Sequence, residues 1–394
     1  MQLFHIFHQN RLRRLIHSDF WLFEVSVWLH TFARSMVTIF VPIFLLQIGY
    51  SISEVIVYYL IFNLIDVPLN FVARNFVKKI GARWVIILGS IASVAFFIGI
   101  YNLKSDAWPL LILIAFLAAV YDTFYWVAHL YLFMKCSKND DNVSGDTSKL
   151  SIIQQIASFL APLLGALILI YLNRSFLIVV SILILIISIV PLFMIKDFKD
   201  KPIRKQKTFR EFFHNWSITR DYVISAFRAI SNTSERVIWP LFLYTLFKNI
   251  ESVAVLPMII SLTAIMFTYF VGKTVMEKRE SLMTVGATIV ALVWILRLVI
   301  ENNAFYYISV FLMGLFSILI SLPLDSYIFE KGEKLDTLSA STYRNTTHMS
   351  ANVVFFGVLI LLVNVFDISF VLASLSMIFV ASIIYFLGEK TLKT

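Results

Sequence analysis

Charge is the property that this chain of 394 residues has least of. Lysine, arginine, aspartate and glutamate together make up 14% of it, against about a quarter in ordinary soluble domains. A soluble chain of this length would need more charge to coat its cores, so a soluble enzyme, a nucleic-acid-binding domain and a disordered chain are excluded. The net charge of +9 therefore needs an explanation other than a nucleic-acid partner.

Cysteine is nearly absent as well. The single cysteine, Cys136, excludes an internal disulfide and any cysteine-based zinc or iron–sulfur site. The one close histidine pair, His5 and His8, lies in a basic N-terminus, where a solvated or interfacial face is a better explanation than a metal site. From these counts we expect no metal site and no cofactor. The phosphate-binding pattern Gly-x-x-x-x-Gly-Lys-Ser/Thr is also missing, so we expect no ATP-driven step.

Most of the remaining residues are apolar. They make up 59% of the 394 residues, and a membrane-spanning helix uses about 20 of them. The sequence predicts an all-α integral membrane protein, because backbone groups in lipid must be paired within a helix. We number its twelve expected spans 1 to 12, with the ranges 20–47, 52–77, 83–101, 107–133, 148–172, 175–195, 221–247, 252–275, 282–301, 304–329, 338–363 and 366–387.

The basic residues predict the orientation of these spans. The N-terminus, the even-numbered connections with the span ends that adjoin them, and the C-terminus carry 25 of the 33 lysines and arginines, whereas the odd-numbered connections carry only Lys104, Arg174 and Lys248. The positive-inside rule then places both termini in the cytoplasm of a protein of the cell membrane.

The longest basic connection, 196–220, divides the chain into two halves, 1–195 and 221–394. Pro42-Ile-Phe-Leu in span 1 recurs as Pro240-Leu-Phe-Leu in span 7, so we expect two pseudo-symmetric bundles of six helices. Within the connection, aromatic residues recur at helical spacing. They predict a short amphipathic helix on the inner leaflet, with a flexible charged linker as the alternative; they are Phe209, Phe212, Phe213 and Trp216.

The connection between spans 2 and 3 carries a glycine among basic residues. It runs from Arg74 to Arg83 and includes Lys78, Lys79 and Gly81, and Gly272 follows at the equivalent place after span 8. This stretch resembles the Gly-x-x-x-Asp-Arg-x-Gly-Arg-Arg loop of the major facilitator superfamily, with Arg74 and Lys78 in place of the first glycine and the aspartate.

Span 5 carries a second motif that resembles this superfamily. Ala161, Pro162 and Gly165 are similar to the Gly-x-x-x-Gly-Pro-x-x-Gly-Gly pattern of its antiporters, although close helix packing alone would select the same small residues. The resemblance implies a secondary transporter that moves a small solute by alternating access, with a coupling proton and with efflux by antiport as one form.

Several charged residues lie where lipid makes charge costly. Arg34 and Asp122 lie mid-span in spans 1 and 4, which line the central cavity of proteins in the resembling family. In the second half, Glu235 and Arg236 lie in span 7 and Asp325 lies in span 10. Two interpretations are open: these groups bind an ionic solute or carry a proton, or each Arg–Asp pair only fastens helices together.

Some of the charged residues are candidates for carrying a proton, and others are expected to have structural roles. Asp66 in span 2 has no basic partner within its span, so it is the better proton carrier, followed by Glu235 if Arg236 faces another helix. Arg344 can pair with Asp325, and Arg297 is expected to snorkel to the headgroups.

Aromatic residues accompany the same region of span 4. Trp126 follows Asp122 by one turn and is a candidate wall for an amphipathic or aromatic solute, with a lipid-facing role as the alternative. The expected partners are the lipid bilayer, a small solute and a coupling proton. The protein is expected to be a monomer. The competing functions are a membrane-embedded enzyme or lipid-handling protein, and a transport-inactive receptor on the same fold.

Overall fold

A computed structural model describes residues 19–136, 143–195, 208–274 and 279–391, and within them every span is helical. The helices of the first half are Asp19–Thr38, Val41–Ile48, Ile52–Ile80, Ala82–Asn102, Trp108–Cys136, Val143–Tyr171 and Arg174–Met194. Those that follow are Phe209–Phe212, Trp216–Thr233, Trp239–Phe247, Glu251–Thr274, Arg279–Val299, Asn303–Leu335, Thr337–Leu361 and Val365–Thr391. The twelve predicted ranges match these helices, and nine of the described helices are long and apolar enough to cross a membrane.

Spans 1 and 7 are each interrupted, which the sequence did not predict. Span 1 breaks before the short helix Val41–Ile48, and span 7 passes through one π-helical turn, Ser234–Ile238. In both cases a proline, Pro42 or Pro240, lies in the first turn of the next helix. Proline has no N–H to donate, so that position suits it. The two breaks occupy equivalent places in the repeated sequence.

The two halves repeat each other's helix packing. Span 1 packs on spans 5 and 6, span 2 on span 4, and span 3 on spans 4 and 6. In the second half, span 7 packs on spans 11 and 12, span 8 on span 10, and span 9 on spans 10 and 12. The halves meet through spans 2 and 11, spans 5 and 8, spans 4 and 11, and the adjoining ends of spans 1 and 7. We call the space between the halves, beside spans 1, 2, 4, 7, 10 and 11, the cleft.

The small residues of span 5 allow it to approach span 1 closely. Ala161 is fully buried, and Pro162 and Gly165 are buried beside it. A Cβ atom on Gly165 would lie 2.4 Å from the backbone oxygen of Met36. This geometry accounts for the small residues of the motif by close packing against span 1.

The aromatic segment before span 7 differs from the predicted leaflet helix. Its helix is only four residues long, and the ring of Phe212 is 1% exposed. Phe212 and Phe213 pack against Tyr222 of span 7 and Tyr343 of span 11. These rings bury apolar surface against protein, and span 7 begins at Trp216, earlier than predicted. Residues 196–207 of the same connection lie outside the described residues.

The end of the bundle that carries the even-numbered connections is called the basic end here. In the second half, three ion pairs tie spans 7, 9 and 10 together there. They are Arg220 with Glu280 at 3.0 Å, Arg279 with Glu330 at 3.0 Å, and Lys331 with Asp221. Asp221 also lies 3.3 Å from Arg220, so two of these pairs are linked to each other.

Candidate functional site

Two carboxyl groups from different helices meet at the centre of the cleft. Asp66 of span 2 is fully buried, Asp122 of span 4 is half-buried, and an oxygen of each carboxyl group lies within 3.4 Å of the same amide nitrogen, Nδ2 of Asn345. Asn70, one turn beyond Asp66, donates its side-chain amide to the Oδ1 atom of Asp66 at 2.8 Å. Asp66 and Asp122 therefore belong to one polar cluster, which the sequence did not predict.

Asn345 of span 11 joins this cluster from the other half. Its Nδ2 atom lies 2.9 Å from the Oδ1 atom of Asn70, 3.3 Å from Asp122 and 3.4 Å from Asp66. An amide nitrogen has only two N–H donors for these three acceptors. The link between the halves can therefore exchange one acceptor for another at little cost. We call Asp66, Asn70, Asp122 and Asn345 the carboxyl cluster.

One interpretation of the sequence is a direct ion pair between Arg34 and Asp122, and the structure does not show one. The guanidinium of Arg34 donates to the hydroxyl of Ser93 at 2.7 Å and lies 3.6 Å from the centre of the Tyr121 ring. Asp122 remains within electrostatic range of both Arg34 and Arg236. In place of a direct ion pair, the structure shows a cation–π contact between Arg34 and Tyr121, the residue next to Asp122 in span 4.

The π turn of span 7 separates two neighbouring charges. Glu235 accepts two hydrogen bonds from Arg297 of span 9, at 2.5 and 3.1 Å, and the Arg297 side chain is 0% exposed. The rings of Trp239 and Trp294 lie 3.7 and 4.6 Å from that guanidinium. Arg297 therefore does not snorkel to the headgroups, and Glu235 is held in an ion pair with it.

Arg236, the next residue, points the other way. It is exposed although it lies in the middle of span 7, and it makes no hydrogen bond or ion pair with any described side chain. Among the described residues, Asp122 across the cleft is an opposite charge within electrostatic range of it. A solvent-accessible guanidinium that faces charges on span 4 lies in a wet cleft between the helices, where lipid does not reach it.

Arg228 lies two turns before Arg236 on the same helix. It is half-buried, and its buried Nε atom has no hydrogen-bond partner among the described residues. The charges within electrostatic range of it are Asp325, Arg344 and Arg236. The sequence placed Arg228 within span 7 without assigning it a role.

The predicted contact between Arg344 and Asp325 is present. The Nη2 atom of Arg344 lies 2.6 Å from the Oδ1 atom of Asp325, and both side chains are 23% exposed. One turn along span 11, the Nε2 atom of His348 lies 2.5 Å from the hydroxyl of Ser225 in span 7. Spans 7, 10 and 11 thus close one side of the cleft with polar contacts.

The aromatic candidates of span 4 fall into two groups. His30 of span 1 bonds to the Tyr121 hydroxyl at 3.0 Å and stacks on Tyr125, so it is a packed helix contact. Trp126 is 38% exposed and lies edge-on to Tyr125 and His129. A role for Trp126 toward a solute stays a prediction. His5 and His8 lie outside the described residues.

The glycine loop after span 2 joins the two halves through its first arginine. Arg74 is buried, donates to the Ser339 hydroxyl of span 11 at 2.9 Å, and lies near the ring of Tyr343. Gly81 has a φ of +87°, in the region that favours glycine, and Arg83 donates to the backbone oxygen of Ile195 at 2.7 Å. Lys78 and Lys79 are exposed, and Gly272 lies in the helix of span 8.

The halves also touch at the opposite end of the bundle. The side-chain nitrogen of Gln47, at the end of span 1, donates to the hydroxyl of Tyr244 in span 7 at 3.1 Å. Nearer the middle, Tyr59 of span 2 stacks on Phe356 of span 11 with ring centres 5.5 Å apart. Contacts between the halves therefore lie on both sides of the carboxyl cluster.

Two features of this site were not predicted from the sequence: the place of Asn345 in the carboxyl cluster and the ion pair of Arg297 with Glu235. Asn345 is uncharged, but it stands in the polar stretch Ser339–Ser350 of an otherwise apolar span, which was the available signal. The partnership of Arg297 with Glu235 depends on the π turn, which no sequence pattern announces.

Comparisons with known proteins agree with this architecture. A sequence model of the Major Facilitator Superfamily matches residues 24–354. The crystal structure of the human organic anion transporter MFSD10 (TETRAN) is similar, with a TM-score of 0.68 and 10% sequence identity over 93% of this chain and 99% of that chain. At this identity the likeness shows the fold alone. A search of curated proteins finds no match.

Proposed function

Because the chain belongs to the Major Facilitator Superfamily and is a multi-pass membrane transporter, we propose that it moves a small solute by alternating access, coupled to a proton on the carboxyl cluster. We further propose that it works as a monomer in the cell membrane with both termini in the cytoplasm, so that the basic end faces inward. The pair of carboxyl groups at Asp66 and Asp122 is the observation that carries this proposal.

The pair supports proton binding for a chemical reason. Two ionised carboxylates cannot donate a hydrogen bond to each other, and two like charges this close repel strongly in a buried site. Asp66 is fully buried and receives hydrogen bonds only from the amides of Asn70 and Asn345 within the described residues. One shared proton removes the repulsion, and loss of that proton weakens the cluster. A group that gains and loses a proton in this way is what coupling requires.

The contacts between the halves support alternating access. Arg74 with Ser339 closes the basic end, and Gln47 with Tyr244 closes the opposite end. Each is a polar contact between side chains, so water can replace it when that end of the protein opens. The cluster lies between these two contacts, where a solute would be reached from one side at a time.

The test uses the full chain in proteoliposomes with an imposed pH gradient and a panel of labelled anionic, neutral and cationic organic solutes. We expect Asp66→Asn to abolish gradient-driven accumulation while solute exchange without a gradient persists. Infrared absorption of the same protein should lose a protonated-carboxyl band. Glu301→Gln, which removes an exposed carboxylate from a connection, is the matched control and should change neither measurement.

The opposite result is equally clear. Accumulation that still follows the pH gradient in both Asp66→Asn and Asp122→Asn would overturn the carboxyl assignment, and sodium coupling or uniport would become the better explanation. The direction of accumulation under each gradient also separates symport from the efflux antiport that the motif of span 5 resembles.

A further inference from the structure

We propose that the transported solute carries an oxyanion group, a carboxylate or a phosphate, and that this group binds Arg236 with Arg228 as the second cation. The proposal rests on the transport function above and names the class of its substrate. Its basis is an arrangement of charge: two arginines of span 7 face the cleft without a direct acidic partner in the described residues.

The backbone of span 7 explains why Arg236 is left free. In an unbroken α-helix, eight residues turn by about 800°, so Arg236 would lie about 80° away from the Arg228 face. The wider π turn at Ser234–Ile238 reduces the rotation per residue and moves Arg236 back toward that face. It also directs Glu235 to Arg297 of span 9, so the carboxylate next in sequence cannot neutralise Arg236. π turns of this kind occur often at functional sites.

The charge balance of the cleft favours a negative ligand. Arg34, Arg228, Arg236 and Arg344 supply four positive charges there, and Asp66, Asp122 and Asp325 supply at most three negative ones. A proton shared by Asp66 and Asp122 reduces the negative charge to two. An unpaired cation inside a membrane protein is costly, and a bound anion would remove that cost.

Arginine chemistry and spacing define what fits. A guanidinium presents parallel N–H donors that match the two oxygens of a carboxylate or phosphate. The rise between Arg228 and Arg236 is about 12 Å along the helix, and two arginine side chains can lean toward a common ligand across that distance. Inorganic phosphate and an organic acid share this chemistry, so the experiment includes both.

The experiment measures binding without any gradient. Thermal unfolding of the purified full chain is followed in detergent at low chloride, with benzoate, phenyl phosphate, inorganic phosphate, benzamide or benzylammonium as the added probe. Since ligands that bind the folded state raise its melting temperature, we expect benzoate or either phosphate to raise it. Benzamide and benzylammonium should not. Phosphate acting alone would identify an inorganic substrate, and benzoate or phenyl phosphate acting more strongly would identify an organic one.

Variants then locate the site. We expect Arg236→Gln to weaken the anion effect about tenfold or more in concentration, Arg236→Lys to keep a reduced effect, and Arg228→Gln to weaken it as well. Arg210→Gln is the matched control, because it removes an exposed arginine outside the cleft. Arg236→Lys retains the positive charge, so the test stands even where the glutamine variant folds poorly.

Two outcomes would overturn the proposal. One is an equal response to benzoate and benzamide, or a stronger response to benzylammonium. The other is an anion effect that Arg236→Gln and Arg210→Gln leave equally intact. Neither of these two outcomes depends on proton coupling. If the protein binds anions but its solute accumulation does not change with the pH gradient, only the proton assignment is contradicted. Proton-driven accumulation of a cation would contradict the anion assignment alone.

Discussion

Neutralising Glu235 should destabilise the protein severely, because it leaves the guanidinium of Arg297 without a counter-charge. The Arg297 side chain is 0% exposed and Glu235 is 9% exposed, so water cannot replace the lost partner. Two charge-assisted hydrogen bonds are worth about 1.5–3 kcal/mol each. Removing one member of a buried ion pair costs about 3–5 kcal/mol in all. We expect Glu235→Gln to lower the free energy of unfolding by about 3–5 kcal/mol.

The two tryptophans beside Arg297 do not change this estimate. Their cation–π contacts, about 0.5–2 kcal/mol each, are present in the wild type and in Glu235→Gln alike. They also provide the assay, since Trp239 and Trp294 report through their fluorescence on the surroundings of the pair. Unfolding by denaturing detergent in mixed micelles, followed at the tryptophan emission, gives the free energies of the single and double variants.

The double variant measures the interaction energy between Glu235 and Arg297 separately from their contacts with other residues. Replacing both members of a buried ion pair is often close to neutral, so Glu235→Gln with Arg297→Gln should recover at least about 2 kcal/mol of the loss. Arg236→Gln, one residue away, should leave stability equal to the wild type or higher, because it removes an unpaired cation. A loss below about 1 kcal/mol in Glu235→Gln, or single losses that simply add in the double variant, would refute the reasoning.

Two further predictions concern packing and movement. Gly165→Ala should destabilise the protein by about 1–3 kcal/mol in thermal unfolding, because its Cβ meets the backbone of span 1. Gly357→Ala, with nothing within 4 Å of the added atom, should be neutral or gain up to about 1 kcal/mol in helix propensity; equal effects would contradict the packing argument. In a Cys136→Ser background, a short bismaleimide that joins Gln47→Cys to Tyr244→Cys should stop transport. Both cysteines should react with an impermeant thiol reagent only from outside, and transport that survives the cross-link would contradict opening at that end.

The sequence predicts the helices well because membrane insertion is a matter of composition and length. Twelve apolar ranges match twelve helical spans to within a few residues, and proline and glycine at equivalent positions mark the repeat. Breaks within spans 1 and 7 are harder to predict, because a proline in a first helical turn and a proline inside a continuous helix look alike in a single sequence. The close approach at Gly165 was predictable, since small residues leave room for a neighbouring helix.

Partners across helices are the part that sequence cannot supply. Pairing depends on how each helix is rotated about its axis, and a π turn of five residues changes that rotation without any distinctive residue. The prediction that Arg34 pairs with Asp122 was wrong for this reason, as was the prediction that Arg297 reaches the headgroups. Asp325 and Arg344 were easier to match because both lie toward the basic ends of consecutive spans and carry opposite charge.

The position of Arg236 also bears on the direction of coupling. Its positive charge lies within electrostatic range of Asp122 across the cleft, and opposite charges attract each other. An anion bound to Arg236 would cancel that influence, so a proton on the carboxyl cluster would then bind more tightly. By thermodynamic linkage the proton strengthens anion binding by the same factor. Ligands that favour each other on one protein cross together, which is symport, whereas antiport requires that they exclude each other. Had Glu235 remained beside Arg236, the anion would have had no free cation to bind, and this link between substrate and proton would be lost.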